Sequence, residues 1–116
     1  MIDLHTHTTA SDGTDSPFAL VNKALSAGIT VLGLTDHDTT SGWQEATESL
    51  RGNLTLALGS EISCLTEDGI SVHILGLLFD SQNVFEILNV IGTNVLFYFF
   101  IVLAIIIFQD SYKKIK

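Results

Sequence analysis

Apolar and polar positions follow two rhythms over the first 80 residues, short apolar runs alternating with stretches at helical spacing. Met1 to Leu4 reads as a short buried strand that delivers His5 and His7 at its carboxyl end, and Thr8 to Asp15 is a polar loop broken by Gly13. A helix follows. Ser16 is a natural N-cap, Pro17 suits the first helical position, Phe18, Val21, Leu25 and Ala24 form a stripe, and Gly28 is placed to end it. Ile29 to Leu34 is a β-branched apolar run and hence a second buried strand, stopping at Thr35-Asp36-His37-Asp38.

The unit then repeats. Thr40 or Ser41 can cap a second helix reaching about Leu50, with Trp43, Ala46 and Leu50 on one face and Gly52-Asn53 closing it. Leu54 to Leu58 is the third strand, ending in Gly59-Ser60-Glu61. Ile62 to Leu65 and Ile70 to Leu78 flank Thr66-Glu67-Asp68-Gly69, which predicts a hairpin turning at Asp68-Gly69 and carrying His73 in its second arm. Strand-helix-strand-helix-strand is the pattern of parallel α/β architecture, whose ligands bind at the carboxyl edge of the strands. That order puts His5, His7, Asp12, Asp36, His37, Asp38 and Glu61 on one rim, and no histidine falls on a predicted helix.

Beyond Asp80 the rhythm is lost. Ser81 to Asn83 is a polar break, and Ile87 to Phe108 is a run of 22 uncharged residues followed by Asp110, Lys113, Lys114 and Lys116. The run matches the roughly 20 residues that cross a bilayer as a helix. The expectation is a domain at 1–80 and a hydrophobic tail at 81–116 that spans a membrane, is covered by a partner, or does not belong with the domain. Lysines beyond the run favour a cytoplasmic carboxyl end and an external front domain. The front, with no secretory signal, reads as cytoplasmic; the two cues conflict.

Composition sharpens the first half. The chain has 116 residues and a formal charge of -8, and up to Asp80 only Lys23 and Arg51 stand against the acidic residues. Such a front does not draw nucleic acid by its charge, but it suits a cation site. The single cysteine, Cys64, excludes an intrachain disulfide and reads as a buried thiol. In an extended segment alternate side chains share a face, so Asp3, His5 and His7 project together. Two imidazoles and a carboxylate there are the fragment of a metal site, although a lone His-x-His also describes a solvated pair.

The ordered set Asp3-Leu4-His5-Thr6-His7, Ser11-Asp12-Gly13, Thr35-Asp36-His37-Asp38, Gly59-Ser60-Glu61 and Val72-His73-Ile74-Leu75-Gly76 resembles the PHP family, named for polymerase and histidinol phosphatase. It looks most like the stand-alone bacterial branch of metal-dependent phosphoesterases acting on nucleotides and short RNA. The resemblance covers residues 1 to about 80 and implies the amino-terminal half of a distorted barrel of seven parallel strands. A complete family site holds up to three metal ions. By that resemblance His5 and His7 would bind the first metal with Glu61 bridging to another, Asp12 and His37 the second, and His73 would join Glu61 on the third. Asp3, Asp36 and Asp38 would orient imidazoles. Mixed imidazole and carboxylate donors suit manganese, zinc or iron.

The family completes its site from the other half of the barrel, with a later histidine and an Asp-x-His pair. No histidine follows His73, and the late carboxylates are Glu86 and Asp110. The expectation is therefore a truncated phosphoesterase, with substrates such as a nucleoside 3',5'-bisphosphate or the 5' end of a short RNA and with its activity in question. Ser11, Ser60 and Ser63 have no histidine left to activate them, so no covalent nucleophile is expected. The alternative is a non-catalytic membrane protein whose functional part is Ile87 to Phe108 and whose front binds metal or is vestigial.

Overall fold

The computed structural model describes residues 1–78. They form β1 (Ile2–Thr6), α1 (Pro17–Ser26), β2 (Val31–Leu34), α2 (Trp43–Glu48), β3 (Thr55–Leu65) and β4 (Ser71–Leu77). The four strands make one sheet in chain order, β1-β2-β3-β4, parallel between β1, β2 and β3 and antiparallel between β3 and β4. Winding without reversal lays α1 against α2, and the sheet curls as a half-barrel. The predicted 87–108 helix lies outside the described residues, among which no helix is long and apolar enough to cross a membrane.

Helix α1 starts and stops as its sequence dictates. Ser16 Oγ accepts the N–H of Ala19 at 3.1 Å, and Pro17 occupies the first turn, where its missing donor costs nothing. At the other end Gly28 takes φ +73°, while Gly28 N–H bonds Leu25 O and Ile29 N–H bonds Ala24 O, the paired closure of a left-handed cap. The stripe is rotated from expectation. Pro17, Val21 and Ala24 are buried, whereas Phe18 is exposed. A helix turns about 100° per residue, so with the Pro17 ring packed toward Gly42, Phe18 faces outward.

Helix α2 is shorter than the predicted span to Leu50. Its N-cap is Gly42, with no side-chain cap, instead of Thr40 or Ser41. Thr40 O is already used by the N–H of Trp43, and Thr39 Oγ1 accepts the N–H of Ser41. At the carboxyl end Ser49 Oγ bonds back to Glu45 O, which competes with continuing the helix. The Trp43 indole donates to Gly59 O at 3.0 Å and pins α2 to β3.

One face of the sheet buries its apolar residues under the helices. Val21, Ala24, Leu32, Leu34, Ala46 and Leu54 form the core, with Leu56, Leu58 and Trp43 packed on it. β3 departs from expectation by continuing through Gly59-Ser60-Glu61 to Leu65. It pairs with β2 over Thr55–Leu58 and with β4 over Gly59–Leu65, so Glu61 sits mid-strand, at the point where its parallel partner ends. Gly59 is required there, since a Cβ would fall 2.2 Å from Gly76 O. The hairpin turn is closed by Gly69 N–H on Thr66 O, with Gly69 at φ +78°.

Candidate metal centre

The carboxyl ends of the parallel strands hold the polar groups. β1 ends at Thr6, and His5 and His7 follow its pleat to one side. Beyond β2 the chain stays alongside β3: His37 pairs with Glu61 in a single parallel bridge, and Asp38 N–H bonds Glu61 O at 3.0 Å. Across the hairpin Ser63 opposes His73, which places His73 on the face of Glu61. Six side chains separated by up to 68 positions therefore meet: His5, His7, Asp12, His37, Glu61 and His73.

The four imidazoles stand in a row, His5, His7, His37, His73, with successive ring centroids 5.1, 4.5 and 5.0 Å apart. Glu61 serves all of them. Its Oε2 lies 2.7 Å from His5 Nε2, 2.8 Å from His7 Nε2 and 3.7 Å from His37 Nε2, and its Oε1 lies 3.1 Å from His73 Nδ1. Asp12 Oδ1 is 2.7 Å from His7 Nδ1, and its Oδ2 is 3.6 Å from His37 Nε2. Three groups of donors could each hold a cation: His5-His7-Glu61, His7-Asp12-His37 and His37-Glu61-His73.

The spacing can be tested against a cation's demands. Ligands about 2.1 Å from an octahedral ion lie about 3.0 Å apart along each edge. His5 Nε2, His7 Nε2 and Glu61 Oε2 form a triangle with sides of 3.2, 2.7 and 2.8 Å, close to one octahedral face. Two imidazole Nε2 atoms facing each other beside one carboxylate oxygen are poorly served by a single shared proton, and well served by a cation. The donors fit a divalent ion.

Electrostatics agree with the geometry. Burial raises the pKa of Glu61, but the His5 bond and the nearby imidazoles of His37, His5 and His7 more than offset this and leave it below its ordinary value. The His7 bond, against a smaller opposing effect of burial, holds Asp12 below its ordinary value. Both carboxylates are thus kept in the form that binds cations. Cys64 is buried, and burial together with the Asp38 charge pushes its thiol up, so it is not a thiolate ligand.

The remaining acids differ from expectation. Asp3, Asp36 and Asp38 bond backbone or hydroxyl donors, and none bonds an imidazole. Asp3 Oδ1 accepts the His5 backbone N–H at 3.3 Å. Asp38, in the left-handed region at φ +52°, accepts the N–H of Ser63 at 2.7 Å. Buried Asp36 accepts Thr8 N–H at 2.6 Å, Thr8 Oγ1 at 2.8 Å and Ser11 Oγ at 2.7 Å. The reason is reach: Asp36 and Asp38 stand beside donors of the Thr8–Ser11 loop and of β3, and Asp3 beside the backbone of its own strand. The carboxylate that does meet an imidazole at its far nitrogen is Asp12. Sequence reasoning missed Thr8, and the signal was a hydroxyl beside a histidine ligand in a loop that must be fixed.

The described residues are an α/β half-barrel with a strand-end cluster of imidazoles and carboxylates whose donors could hold cations. The match is to the PHP domain over residues 3–112, and the chain belongs to the PHP family. It is 48% identical over 82 residues to a 5'-3' exoribonuclease of Haemophilus influenzae, covering 70% of this chain and 30% of that protein. It is 38% identical over 80 residues to a 3',5'-nucleoside bisphosphate phosphatase of Chromobacterium violaceum, covering 68% and 28%. The fold is similar to a solved structure of a metal-dependent phosphoesterase from Bifidobacterium adolescentis, with a TM-score of 0.63 and 46% identity over 68% of this chain and 28% of that one. The chain thus spans under a third of the length of these relatives.

Proposed function

We propose that the chain is the amino-terminal part of a metal-dependent phosphoesterase, acting on phosphate esters of nucleotides such as nucleoside 3',5'-bisphosphates or on the 5' end of short RNA. The observation that supports it is Glu61, one carboxylate in reach of all four imidazoles. His5 and His7 would hold one ion with Glu61 bridging to another, Asp12 and His37 would serve a second, and His73 would join Glu61 on a third. Manganese, zinc and iron suit this donor set. When bound, such ions polarise phosphoryl oxygens and lower the pKa of water. The division near Asp80 and a cytoplasmic site for the front portion belong to the same reading.

The chain's own residues do the rest. Asp12 Oδ1 fixes the ring of His7 through Nδ1, leaving Nε2 aimed at Glu61 and His5. The two basic side chains of the front have partners of their own: Lys23 Nζ sits 2.7 Å from both oxygens of Asp15, and Arg51 bonds the carbonyls of Glu48 and Leu50. Cations held at the rim would meet the charge of a phosphate bound there. Ser11 and Ser60 give their hydroxyl protons to the Asp36 carboxylate and carbonyl, which argues against either as a nucleophile.

The test is metal content and phosphate release by the purified 116-residue chain, with manganese, zinc or ferrous iron and a nucleoside 3',5'-bisphosphate or a 5'-phosphorylated oligoribonucleotide. Bound metal with hydrolysis supports the full reading. Bound metal without hydrolysis restricts it to a phosphoesterase fragment that needs donors from elsewhere. No bound metal with any of the three ions sinks it.

A further inference from the structure

We propose that Asp36 is a positioning residue that fixes Asp12, and through it the cation site of Asp12 and His37; this rests on the metal-binding reading above. Asp36 is 1% exposed, yet it is not one of the candidate ligands. Its carboxylate accepts three donors, all from the loop that carries Asp12: Thr8 N–H, Thr8 Oγ1 and Ser11 Oγ, at 2.6 to 2.8 Å. Its own carbonyl accepts Ser60 Oγ at 2.9 Å and the N–H of Glu61 at 3.2 Å. One residue thus touches the immediate neighbours of His7 and Asp12, precedes His37 in the chain, and bonds the backbone of Glu61.

The dependence on Asp36 is uneven among the ligands. His5 and His7 are also held by β1 and by Glu61, and His73 by the hairpin. Asp12 lies off the strands, with 66% of its side chain exposed. Its place is set by the Thr8–Gly13 turn, in which Thr8 O accepts the N–H groups of Ser11 and Gly13. That turn is anchored to β2 by Asp36. A carboxylate suits this place because an acceptor on both oxygens takes all three donors. Thr8 Oγ1 accepts the N–H of Ala10 at 3.1 Å while its own buried proton goes to Asp36. An amide in place of Oδ2 would make Thr8 Oγ1 accept a second donor and leave its own buried proton without an acceptor.

The experiment is manganese titration of the full chain by calorimetry and by loss of free-ion spin resonance, for wild type, Asp36→Asn, Asp12→Asn and the double variant, with folding checked by circular dichroism. Asp36→Asn is expected to weaken one site by about 10- to 100-fold, the usual cost of losing a group that supports a ligand. Asp12→Asn should remove the same site. The double variant should be no weaker than Asp12→Asn alone, which a general loss of stability would not produce. Should Asp36→Asn fail to fold, Ser11→Ala deletes one of the three bonds, and a loss of about 3- to 10-fold at that site is then expected. Affinity within 2-fold of wild type in a folded Asp36→Asn, or the same fold-loss with and without Asp12, overturns the proposal. So does unchanged affinity in Ser11→Ala where that variant is the one tested. A wild-type chain that binds no manganese, zinc or iron overturns the metal reading itself and is told apart by that.

Discussion

The helix-covered face of the sheet and the rim at its strand ends share β1, β2 and β3, with β4 adding His73 to the rim, and are built by different means. At the end of β2 the change takes two residues, from buried Leu34 in the core to buried Asp36 just past the strand. The core is held by side chains general in chemistry, Leu, Val and Ala at helical and strand spacing, where volume and polarity matter more than identity. The rim is held by single bonds across long separations, His5 to Glu61 over 56 residues and Thr8 to Asp36 over 28. Damage to the first should lower stability and spare the chemistry of molecules that remain folded. Damage to the second should do the reverse.

The largest effect should come from Glu61. Glu61→Gln removes the one charge shared by the imidazole row, and manganese affinity should fall by at least about 100-fold, beyond what supporting residues cost. The fold should survive, because β3 keeps its backbone pairing to β2 and β4. Calorimetric titration with circular dichroism reads both. Retention of binding within 10-fold would mean that the groups do not share this carboxylate.

Leu32→Ala tests the other face. Leu32 is fully buried in the core beneath both helices, and its truncation should cost about 2–5 kcal/mol in urea unfolding. Metal affinity of the folded fraction should stay within about 3-fold. A larger loss of affinity at unchanged stability would show the two faces to be one unit.

These two regions were not equally legible in the sequence. Strand and helix order follow from apolar spacing, and Ser16, Pro17 and Gly28 mark α1 because capping is local chemistry. The six candidate residues could be picked out because strand order puts their residue types on one rim, where the fold brings them together. The tertiary choices could not. Phe18 loses its core place to Pro17, a matter of how α1 rotates against Gly42. β3 runs on past Gly59 because a partner strand, β4, arrives on its other side. Asp36 and Asp38 turn to backbone donors that only the fold brings near them, and no spacing rule shows which donors burial will strand.

A pH series sharpens the contrast at intermediate size. Glu61 and Asp12 have lowered pKa values in the fold, so the unfolded chain binds more protons than the native one as pH falls toward and below their ordinary values. Stability of the metal-free protein from this source should be complete above about pH 4.5, the usual glutamate range, and should be lost progressively in more acid solution. Urea midpoints at closely spaced pH values would show it. Glu61→Gln should flatten this acid limb while Leu32→Ala lowers the whole curve without changing its slope. An acid limb unchanged in Glu61→Gln would assign the proton uptake to other carboxylates.

The smallest effect belongs to a contact that touches both regions. Lys23, in the last turn of α1, reaches both oxygens of Asp15 at 2.7 Å, and Asp15 O accepts the N–H of Thr9 in the ligand loop. The contact could be thought to hold the loop through the helix. Its lysine is two-thirds exposed, however, and an exposed ion pair contributes about 0.2–1 kcal/mol and is weakened by salt. Lys23→Met keeps the apolar stem and removes the charge. It should cost less than about 1 kcal/mol in urea unfolding, with the difference shrinking at high salt, and should leave manganese affinity within 2-fold of wild type. Set beside Asp36→Asn, this assigns the position of the ligand loop to buried bonds with Asp36 and not to the surface pair. A loss of affinity in Lys23→Met as large as in Asp36→Asn would reverse that assignment, and would make the helix-covered face a direct support of the site.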